Sequence, residues 1–353
     1  MENRKIWLIA DTHFGYKGDD EEWLNDSIGY FEDTIIPIMK KEVKPGDIMI
    51  HLGDVFDNRA TIGLNTICRV ISLFEKFSEI FSDIRITVGN HDIMKKSSND
   101  ITSLNMLKYI PNVKIYYEPI VEVIDGKTCL FNPWIESAEK EKELLAGVNV
   151  DYVFGHLEVG GSQMSNRSGV KIEFAGGVKS SDFKDAQVYA GHIHIKQDNR
   201  NIHYLGNPYH KDRGDRGNPK GVTILDLSTG KTKFIENEVS PRYMKENIYD
   251  ILNLTVGDLK RRWKNNRIDL HLKSTDITKC NFDDLLTSLE HCYRSFDPHG
   301  DTVLTELNTS GELSFNEAKS SDDYIEDFLG NQDLTEDLLK GVHEKMLEYK
   351  DRI

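Results

Sequence analysis

Short apolar runs rich in β-branched residues recur through the first two thirds of the chain, and each ends in a turn containing Asp, Asn, Gly or His. Runs of about three to five apolar residues bounded by turn residues are typical of buried strands. The clearest runs are Ile6 to Ala10, Ile48 to Leu52, Ile84 to Val88, Tyr152 to Phe154 and Val188 to Ala190. This repetition predicts a sheet whose strands carry polar side chains to one edge.

Segments of helical length separate these strands, and their apolar residues recur at helical intervals. They are Trp23 to Met39, Ile62 to Phe81 and Ile101 to Ile110. Pro37 is expected to end or kink the first helix, because proline has no backbone N–H. Alternation of strands and helices predicts an α/β layer fold. Two later runs, Ile202 to Tyr204 and Val222 to Leu227, are expected to close a second sheet.

The composition narrows the class of protein. With 38% hydrophobic and 29% charged residues, the chain of 353 residues is not expected to be disordered. No apolar run approaches the ~18 residues of a membrane span, and an export signal is not recognisable, so a cytoplasmic protein is expected. Its cysteines, Cys68, Cys129, Cys280 and Cys292, are scattered and are expected to be free thiols.

The pattern changes near residue 240. Beyond it come a basic helical segment (Val256 to Asn266), an alternating strand (Ile268 to Lys273) and an amphipathic stretch (Phe282 to Phe296). Residues 311–353 are acidic and include a helical apolar stripe, formed by Leu334, Leu338, Val342 and Met346. We therefore predict domains at 1–238 and 239–310, followed by a helical segment at 311–353.

Five strand ends carry side chains that bind metal ions. The motifs are Asp11-Thr12-His13, Gly53-Asp54-Val55-Phe56-Asp57, Gly89-Asn90-His91-Asp92, Gly155-His156 and Gly191-His192-Ile193-His194. Because ligands bind beyond the carboxyl ends of strands in α/β sheets, these turns are expected to converge. Carboxylates and imidazoles without a thiolate suit Mn²⁺ or Fe²⁺ better than structural zinc. Two such ions can activate a phosphoryl group and a water nucleophile, which indicates phosphoester hydrolysis.

Each motif taken singly has a structural alternative. Asp and Asn at strand ends are usually turn formers, and an isolated Gly-His pair carries no functional information. Five motifs in order, all following apolar strands, favour a common site. His51, His203 and His210 match none of the motifs and are expected to be structural.

The ordered motifs D-x-H, G-D-x-x-D, G-N-H-D, G-H and G-H-x-H resemble those of the calcineurin-like metallophosphoesterase superfamily. Within it, the chain resembles the SbcD-type recombination nucleases, and more narrowly the nuclease subunits of T4-like phage recombination endonucleases. The similarity spans residues 5 to about 235 and includes Tyr204-Leu205-Gly206-Asn207-Pro208. It implies a four-layer α/β/β/α sandwich with a small α+β capping domain and a helical C-terminal tail.

The resemblance also implies roles for individual residues. One metal would be held by Asp11, His13 and His194, the other by Asn90, His156 and His192, and Asp54 would bridge them. His91 would contact the scissile phosphate and help to stabilise or protonate the leaving group, with Asp92 as its partner. Asp57 would contact the metal ligands without binding a metal ion itself. Mn²⁺ is the expected metal, with Mg²⁺ or Fe²⁺ as alternatives.

A chain of net charge −15 lacks the overall basic character of nucleic-acid-binding proteins, so DNA contacts would need local basic loops. Basic residues do follow the site motifs and recur in the second module. The candidates are Arg59, Lys95, Lys96, Arg167, Lys196, Arg200, Lys211, Arg213, Arg216, Lys260, Arg261, Arg262 and Lys264. Solvated surface charge is the alternative for each residue that follows a site motif, and an ordinary amphipathic helix is the alternative for the segment from Lys260 to Lys264.

The sequence therefore predicts a two-metal DNA exonuclease and endonuclease acting in recombination, repair of double-strand breaks and recombination-dependent replication, in the host cytoplasm if a phage encodes it. The resemblance implies a homodimer in complex with an SbcC-type ABC ATPase that carries long coiled coils, and the C-terminal segment would bind the base of those coiled coils. The alternative is that the apolar stripe of this segment packs against its own chain. A phosphatase or cyclic-nucleotide phosphodiesterase on the same scaffold is the first alternative. A non-catalytic scaffold is the second, although no ligand residue is missing.

Overall fold

A computed structural model describes residues 4–95, 98–165, 170–251, 254–272, 293, 295–300, 304–307 and 313–315. The chain splits into two compact units. The first comprises Met1–Met244 with Asn265–Arg267, and the second comprises Lys245–Lys264 with Ile268–Ile353. Within the described ranges, no helix combines the length and the hydrophobicity that a membrane crossing requires.

The strands and helices are numbered in chain order. The strands are β1 Lys5–Ile9, β2 Ile48–His51, β3 Ile84–Thr87, β4 Ile93–Lys95, β5 Ser98–Thr102, β6 Val113–Tyr116, β7 Ile120–Ile124, β8 Lys127–Asn132, β9 Tyr152–His156, β10 Gln163–Ser165, β11 Lys171–Glu173, β12 Gln187–Gly191, β13 Gln197–Asn199, β14 Ile202–Tyr204, β15 Gly221–Asp226, β16 Thr232–Glu236, β17 Tyr243–Asn247, β18 Arg267–Leu272, β19 Ser295–Gly300, β20 Leu304–Leu307 and β21 Leu313–Phe315. The α-helices are α1 Tyr16–Asp19, α2 Glu21–Gly29, α3 Ile36–Glu42, α4 Leu64–Ile80, α5 Ala138–Gly147, α6 Ile248–Ile251 and α7 Val256–Trp263.

Two six-stranded sheets form the first unit. One has the strand order β16-β15-β1-β2-β3-β6, in which β1, β2, β3 and β6 run parallel. The other has the order β13-β14-β12-β9-β8-β7, in which β14, β12, β9 and β8 run parallel. The parallel strands of each sheet therefore end at a common edge, where the predicted site motifs follow them.

Three apolar cores show how the layers pack. One core lies between the two sheets and includes Ile6 and Ile50 from the first sheet and Phe131 and Phe154 from the second. A second core joins the other face of the first sheet to helices such as α4. A third covers the outer face of the second sheet and includes Leu145 of α5. This layering confirms the predicted four-layer α/β/β/α sandwich.

The predicted elements differ from the structure in three places. Val222 to Leu227 does not extend the second sheet: β15 pairs antiparallel with β1 of the first sheet, with Leu225 opposite Ile6. Pro37 does not end the first helical region, because a π-helical segment at Tyr30–Ile35 leads into α3 and Pro37 lies in the first turn of α3, where no N–H is needed. The predicted helix at Ile101 to Ile110 is a 3₁₀ helix at Ser103–Tyr109.

The second unit contains α7, which begins with a capping box. The hydroxyl of Thr255 accepts a hydrogen bond from the backbone N–H of Asp258, and the Asp258 carboxylate accepts one from the Thr255 N–H. Leu259 and Trp263 are the buried residues of this helix. The strands β17, β18 and β19 form a three-stranded sheet. Most of the predicted stretch Phe282 to Phe296, and the apolar stripe of the tail, lie outside the described residues.

Candidate metal centre

The five motif-bearing turns converge as predicted. The turns after β1 and β2 are joined by backbone hydrogen bonds, from Asp11 N–H to Gly53 O (3.1 Å) and from His13 N–H to Asp54 O (3.0 Å). Three residue groups bring ligand atoms within 4.8 Å of one another: Asp11 with His13 and His194, His13 with Asp54 and His91, and Asp11 with Asp54 and His156. Asp54 and His156 are buried, so this is an enclosed cluster of carboxylates and imidazoles.

Several residues of the centre have backbone conformations that are unusual for non-glycine residues. Asp11, His13, Asp54 and His192 have φ angles of 53°, 44°, 54° and 92°. Such conformations cost about 1 to 3 kcal/mol each and persist where surrounding contacts enforce them. Here they turn the side chains that follow β1, β2 and β12 toward one point.

Two glycines create the space for this convergence. Gly53 has φ +83°, and a Cβ built on it would lie 2.6 Å from His156 Nδ1. A Cβ on Gly89 would lie 2.3 Å from Asp54 Oδ1 and 2.2 Å from its backbone nitrogen. Only glycine lets the turns after β2 and β3 approach this closely.

The partners of His156 determine which of its nitrogens faces the cluster. Its Nδ1 lies 2.8 Å from the backbone oxygen of Leu52, which can only accept a hydrogen bond. The proton of the neutral ring therefore resides on Nδ1. The Nε2 lone pair points inward, 2.9 Å from Asn90 Oδ1 and 3.3 Å from Asp54 Oδ2.

His13 is oriented in the same way by a carboxylate. Its Nδ1 lies 3.1 Å from Asp57 Oδ1, so its Nε2 lone pair also points inward. That Nε2 is 3.1 Å from His194 Nε2 and 3.6 Å from Asp54 Oδ2. The inward atoms of His13, His156, Asn90 and Asp54 are thus all electron-pair donors, and this donor set fits divalent cations bound by oxygen and imidazole.

The electrostatics of the cluster favour added positive charge. Burial disfavours a charged His156, yet the adjacent Asp54 carboxylate outweighs it and raises the pKa of His156 to about 9. Burial raises the pKa of Asp11 to about 7. The neighbouring imidazoles hold the pKa of Asp54 well below its ordinary value despite its burial. Without a metal ion, protons on His156 and Asp11 would supply the positive charge that the buried Asp54 carboxylate attracts, and a bound cation would take their place.

Asp92 has a different place from the one expected. It was predicted to partner His91, but its Oδ2 accepts hydrogen bonds from the backbone N–H groups of Gly89 (2.9 Å) and Asp54 (2.8 Å). Its Oδ1 accepts from Val55 (3.0 Å) and Phe56 (3.2 Å). Asp92 therefore ties the turn after β2 to the turn after β3, and it acts on the centre through the backbone.

His91 is held by Asp57 and Asp54 instead. Its Nδ1 lies 2.6 Å from the backbone oxygen of Asp57, and its backbone N–H donates to Asp54 Oδ1 at 2.7 Å. Its ring centroid is 4.8 Å from that of His13. With the proton on Nδ1, Nε2 is the atom that His91 offers to a bound molecule.

Lys211 was expected to contact DNA, but its amine lies inside the site. Its Nζ is 2.7 Å from Asp57 Oδ1, and only 9% of its side chain is exposed. It also lies 4.7 Å from the ring centroid of Tyr16. Asp57 therefore links a buried lysine to His13, and Lys211 supplies positive charge beside the metal ligands.

The other candidate DNA contacts are more exposed. Arg59, Lys196, Arg213 and Arg216 are half-buried, whereas Lys95, Arg200, Lys260, Arg261, Arg262 and Lys264 are exposed. Within the second unit, Arg262 forms a two-point ion pair with Glu246, with N···O distances of 2.7 and 2.9 Å. Lys96 and Arg167 lie outside the described residues.

The three histidines expected to be structural have protein partners. His51 is buried, and its Nε2 lies 3.1 Å from Thr12 Oγ1. His210 is buried and accepts a hydrogen bond from the Tyr243 N–H. His203 stacks on Tyr189 at a centroid distance of 4.9 Å.

Sequence reasoning missed several residues that surround the site. The ring of Trp134 packs against His192 at 5.1 Å, and the carboxylate of Glu158 lies 3.1 Å from His192 Nε2. The one available signal for Glu158 was its position two residues after His156 in the G-H-x-E stretch. Trp134 follows the end of β8, a strand without a metal-type motif.

A buried ion pair between Asp215 and Lys220 was also missed. Lys220 Nζ donates to the backbone oxygen of His194 at 2.8 Å and contacts Asp215 and Asn207. Asp215 Oδ2 accepts from the Lys211 N–H at 2.7 Å. The pair therefore connects the His194 turn to the segment that positions Lys211.

Comparison with known proteins agrees with this geometry. The family model for calcineurin-like phosphoesterases matches residues 4–196. Exonuclease subunit 1 of Enterobacteria phage T4 is 29% identical over 271 residues, which cover 71% of this chain and 75% of that protein.

Two solved structures show weaker similarity. An archaeal phosphodiesterase is 17% identical over 66% of this chain and 99% of its own, with a TM-score of 0.34. A phosphopantetheinyl hydrolase from Mycobacterium tuberculosis is 12% identical over 58% of this chain and 90% of its own, with a TM-score of 0.31. The fold assignment depends on the family match and the sheet topology.

Proposed function

The chain belongs to the calcineurin-like phosphoesterase family, and we propose that it is a two-metal nuclease that hydrolyses DNA phosphodiester bonds. Family membership makes it a hydrolase of phosphate esters with a divalent-metal centre. The observation that carries the proposal is that His13 Nε2 and His156 Nε2 lie 3.6 and 3.3 Å from Asp54 Oδ2, while Asn90 Oδ1 lies 2.9 Å from the same His156 nitrogen. The similarity to a phage exonuclease subunit supports DNA as the substrate.

The ligand sets follow from this convergence. Asp11, His13 and His194 would hold one ion, and Asn90, His156 and His192 the other, with Asp54 shared between them. When bound, the ions supply electrophilic activation of the phosphoryl group and of the attacking water. Mn²⁺ is the proposed metal because the donors are oxygen and imidazole.

The polypeptide contributes orientation and a proton. His91 donates from Nδ1 to the Asp57 carbonyl, so its Nε2 is directed to the scissile phosphate or the leaving oxygen. In its imidazolium form His91 carries a second proton on Nε2, which it would transfer to the leaving oxygen. A positioned general acid of this kind contributes about 10²- to 10⁴-fold to the rate. Lys211, held by Asp57, adds positive charge near the phosphate, where negative charge develops in the transition state.

The test compares three substrates in the presence of Mn²⁺ and in the presence of EDTA. The protein would be incubated with Mn²⁺ or with EDTA, together with labelled linear duplex DNA, single-stranded DNA and a chromogenic phosphomonoester. We expect Mn²⁺ to support cleavage of DNA, EDTA to abolish it and the phosphomonoester to be hydrolysed much more slowly. Cleavage that persists in EDTA would refute the metal mechanism, and a marked preference for the phosphomonoester would favour a phosphatase.

We further propose that residues 1–238 form the nuclease domain and 239–310 a DNA-contacting cap, and that residues 311–353 bind an ABC ATPase of the SbcC type within a homodimeric complex. The apolar stripe of the tail supports the contact with the ATPase, because an amphipathic helix buries such a face against a partner. The basic segment from Lys260 to Lys264 supports the DNA-contacting role of residues 239–310. In the full-length chain, Leu338→Glu combined with Val342→Glu should abolish co-purification with the ATPase and preserve nuclease activity. Retained co-purification would contradict the proposed contact.

A further inference from the structure

The carboxylate of Glu158 contacts one ring nitrogen of His192, and the other ring nitrogen contacts Asn90. Glu158 lies just beyond β9, and its Oε1 is 3.1 Å from His192 Nε2. A neutral imidazole has a single N–H, and an ionised carboxylate can only accept a hydrogen bond. The contact therefore favours the tautomer of a neutral His192 that carries its proton on Nε2.

The other nitrogen of His192 faces the centre. Its Nδ1 lies 2.9 Å from Asn90 Oδ1, and the same oxygen is 2.9 Å from His156 Nε2. Asn90 Oδ1 is thus a competing acceptor for the His192 proton. If the proton moved to Nδ1, a metal ligand would become a hydrogen-bond donor directed at the centre.

Other contacts hold the position of His192 independently of Glu158. The His192 backbone N–H donates to both oxygens of Asp11, at 2.9 and 3.1 Å. The Trp134 ring packs against the imidazole at a centroid distance of 5.1 Å and an interplanar angle of 31°. Loss of the Glu158 carboxylate should therefore change the protonated nitrogen without displacing the ring from the site.

We propose that Glu158 is a positioning residue that keeps the proton of His192 on Nε2, so that Nδ1 binds the second metal ion. The inference deepens the proposed two-metal function and rests on it. Carboxylates that accept a hydrogen bond from a metal-ligating histidine fix its orientation and raise its basicity, and their loss weakens metal binding about 10- to 100-fold.

The experiment uses the full-length protein and begins without metal. Long-range ¹H–¹⁵N NMR spectra of histidine-labelled protein report which nitrogen is protonated, and His192→Asn identifies the signals of His192. We expect Nε2–H in the wild type and in Glu158→Gln, whose amide oxygen also accepts a hydrogen bond. In Glu158→Ala the proton should shift toward Nδ1.

Titration calorimetry with Mn²⁺ then measures metal affinity. Glu158→Ala should weaken one of the two sites about 10- to 100-fold, and Glu158→Gln should weaken it less. Glu143→Gln, which removes an exposed carboxylate from α5, is the matched control and should behave as wild type.

Two results would overturn the inference: a wild-type His192 protonated on Nδ1, or a folded Glu158→Ala that binds both ions within twofold of wild type. If Glu158→Ala does not fold, the test depends on the protonated nitrogen of His192 in the wild type and in Glu158→Gln. A His192 protonated on Nδ1 in either protein contradicts the inference. A wild-type protein that binds no Mn²⁺ would refute the proposed two-metal function. The tautomer of His192 is measured in metal-free protein and therefore tests the role of Glu158 separately.

Discussion

His91 Nδ1 lies 2.6 Å from the backbone oxygen of Asp57, and the carboxylate of the same Asp57 lies 3.1 Å from His13 Nδ1. One residue thus orients two imidazoles that have different proposed tasks, because His13 is directed to a metal ion and His91 to the phosphate. The separation between these tasks is the basis for the first prediction.

His91→Ala should retain two bound metal ions but lose cleavage by about 10²- to 10⁴-fold, because only the proposed general acid is removed. Asp54→Ala should lose metal as well, since Asp54 belongs to two of the three residue groups whose ligand atoms lie close together. Metal content by mass spectrometry and cleavage rates on duplex DNA check both variants. A metal-free His91→Ala protein would show that His91 is a ligand.

Gly89→Ala should disrupt metal binding although no ligand is changed. The added methyl would lie 2.3 Å from Asp54 Oδ1, so either the carboxylate or the turn after β3 must move. Gly126→Ala is a control for the loss of a glycine, because a Cβ at this position meets no atom within 4 Å. The φ of +78° at Gly126 makes alanine strained, but that strain is confined to the turn at residue 126. Calorimetry with Mn²⁺ should show a large loss of affinity for Gly89→Ala and wild-type affinity for Gly126→Ala.

Lys220→Met should destabilise the protein by about 3 to 5 kcal/mol, because it leaves the buried Asp215 carboxylate without its cation. The double variant Asp215→Leu/Lys220→Met should recover part of this loss, because an apolar pair leaves no buried charge. Urea unfolding of the single and double variants measures the difference. A single variant as stable as wild type would contradict the buried ion pair.

The buried carboxyl of Glu141 should make stability depend on pH. It accepts a hydrogen bond from Asn132 at 3.0 Å, and burial raises its pKa from 4.5 to about 8. Between these two values the folded state binds more protons than the unfolded state, so this group lowers the free energy of unfolding as pH rises from 4.5 to 8.

Glu141→Gln removes the ionisable group and keeps an oxygen for Asn132. The stability of Glu141→Gln relative to wild type should therefore increase across this pH window, by on the order of a few kcal/mol. Exposed Glu143→Gln is the control for the same chemical change. A stability difference that does not vary with pH between 4.5 and 8 would show that Glu141 is not held neutral.

Local patterns in the sequence were sufficient to predict the positions of the strands that lead to the site. β1, β2, β3, β9 and β12 lie within one or two residues of their predicted limits, because short β-branched runs bounded by turn residues encode buried strands locally. The convergence of Asp11, Asp54 and His156 also followed from the sequence, since parallel strands end at a common edge.

Only the tertiary structure decided which side chains face one another across large sequence separations. Leu225 pairs with Ile6, Asp92 binds the backbone at Asp54 rather than the ring of His91, and Lys211 turns inward to Asp57. Glu158 and Trp134 are part of the site for the same reason, because the fold places both in contact with His192. Strand ends are specified by neighbouring residues, whereas the proton position on a histidine depends on which distant acceptor the fold brings to it.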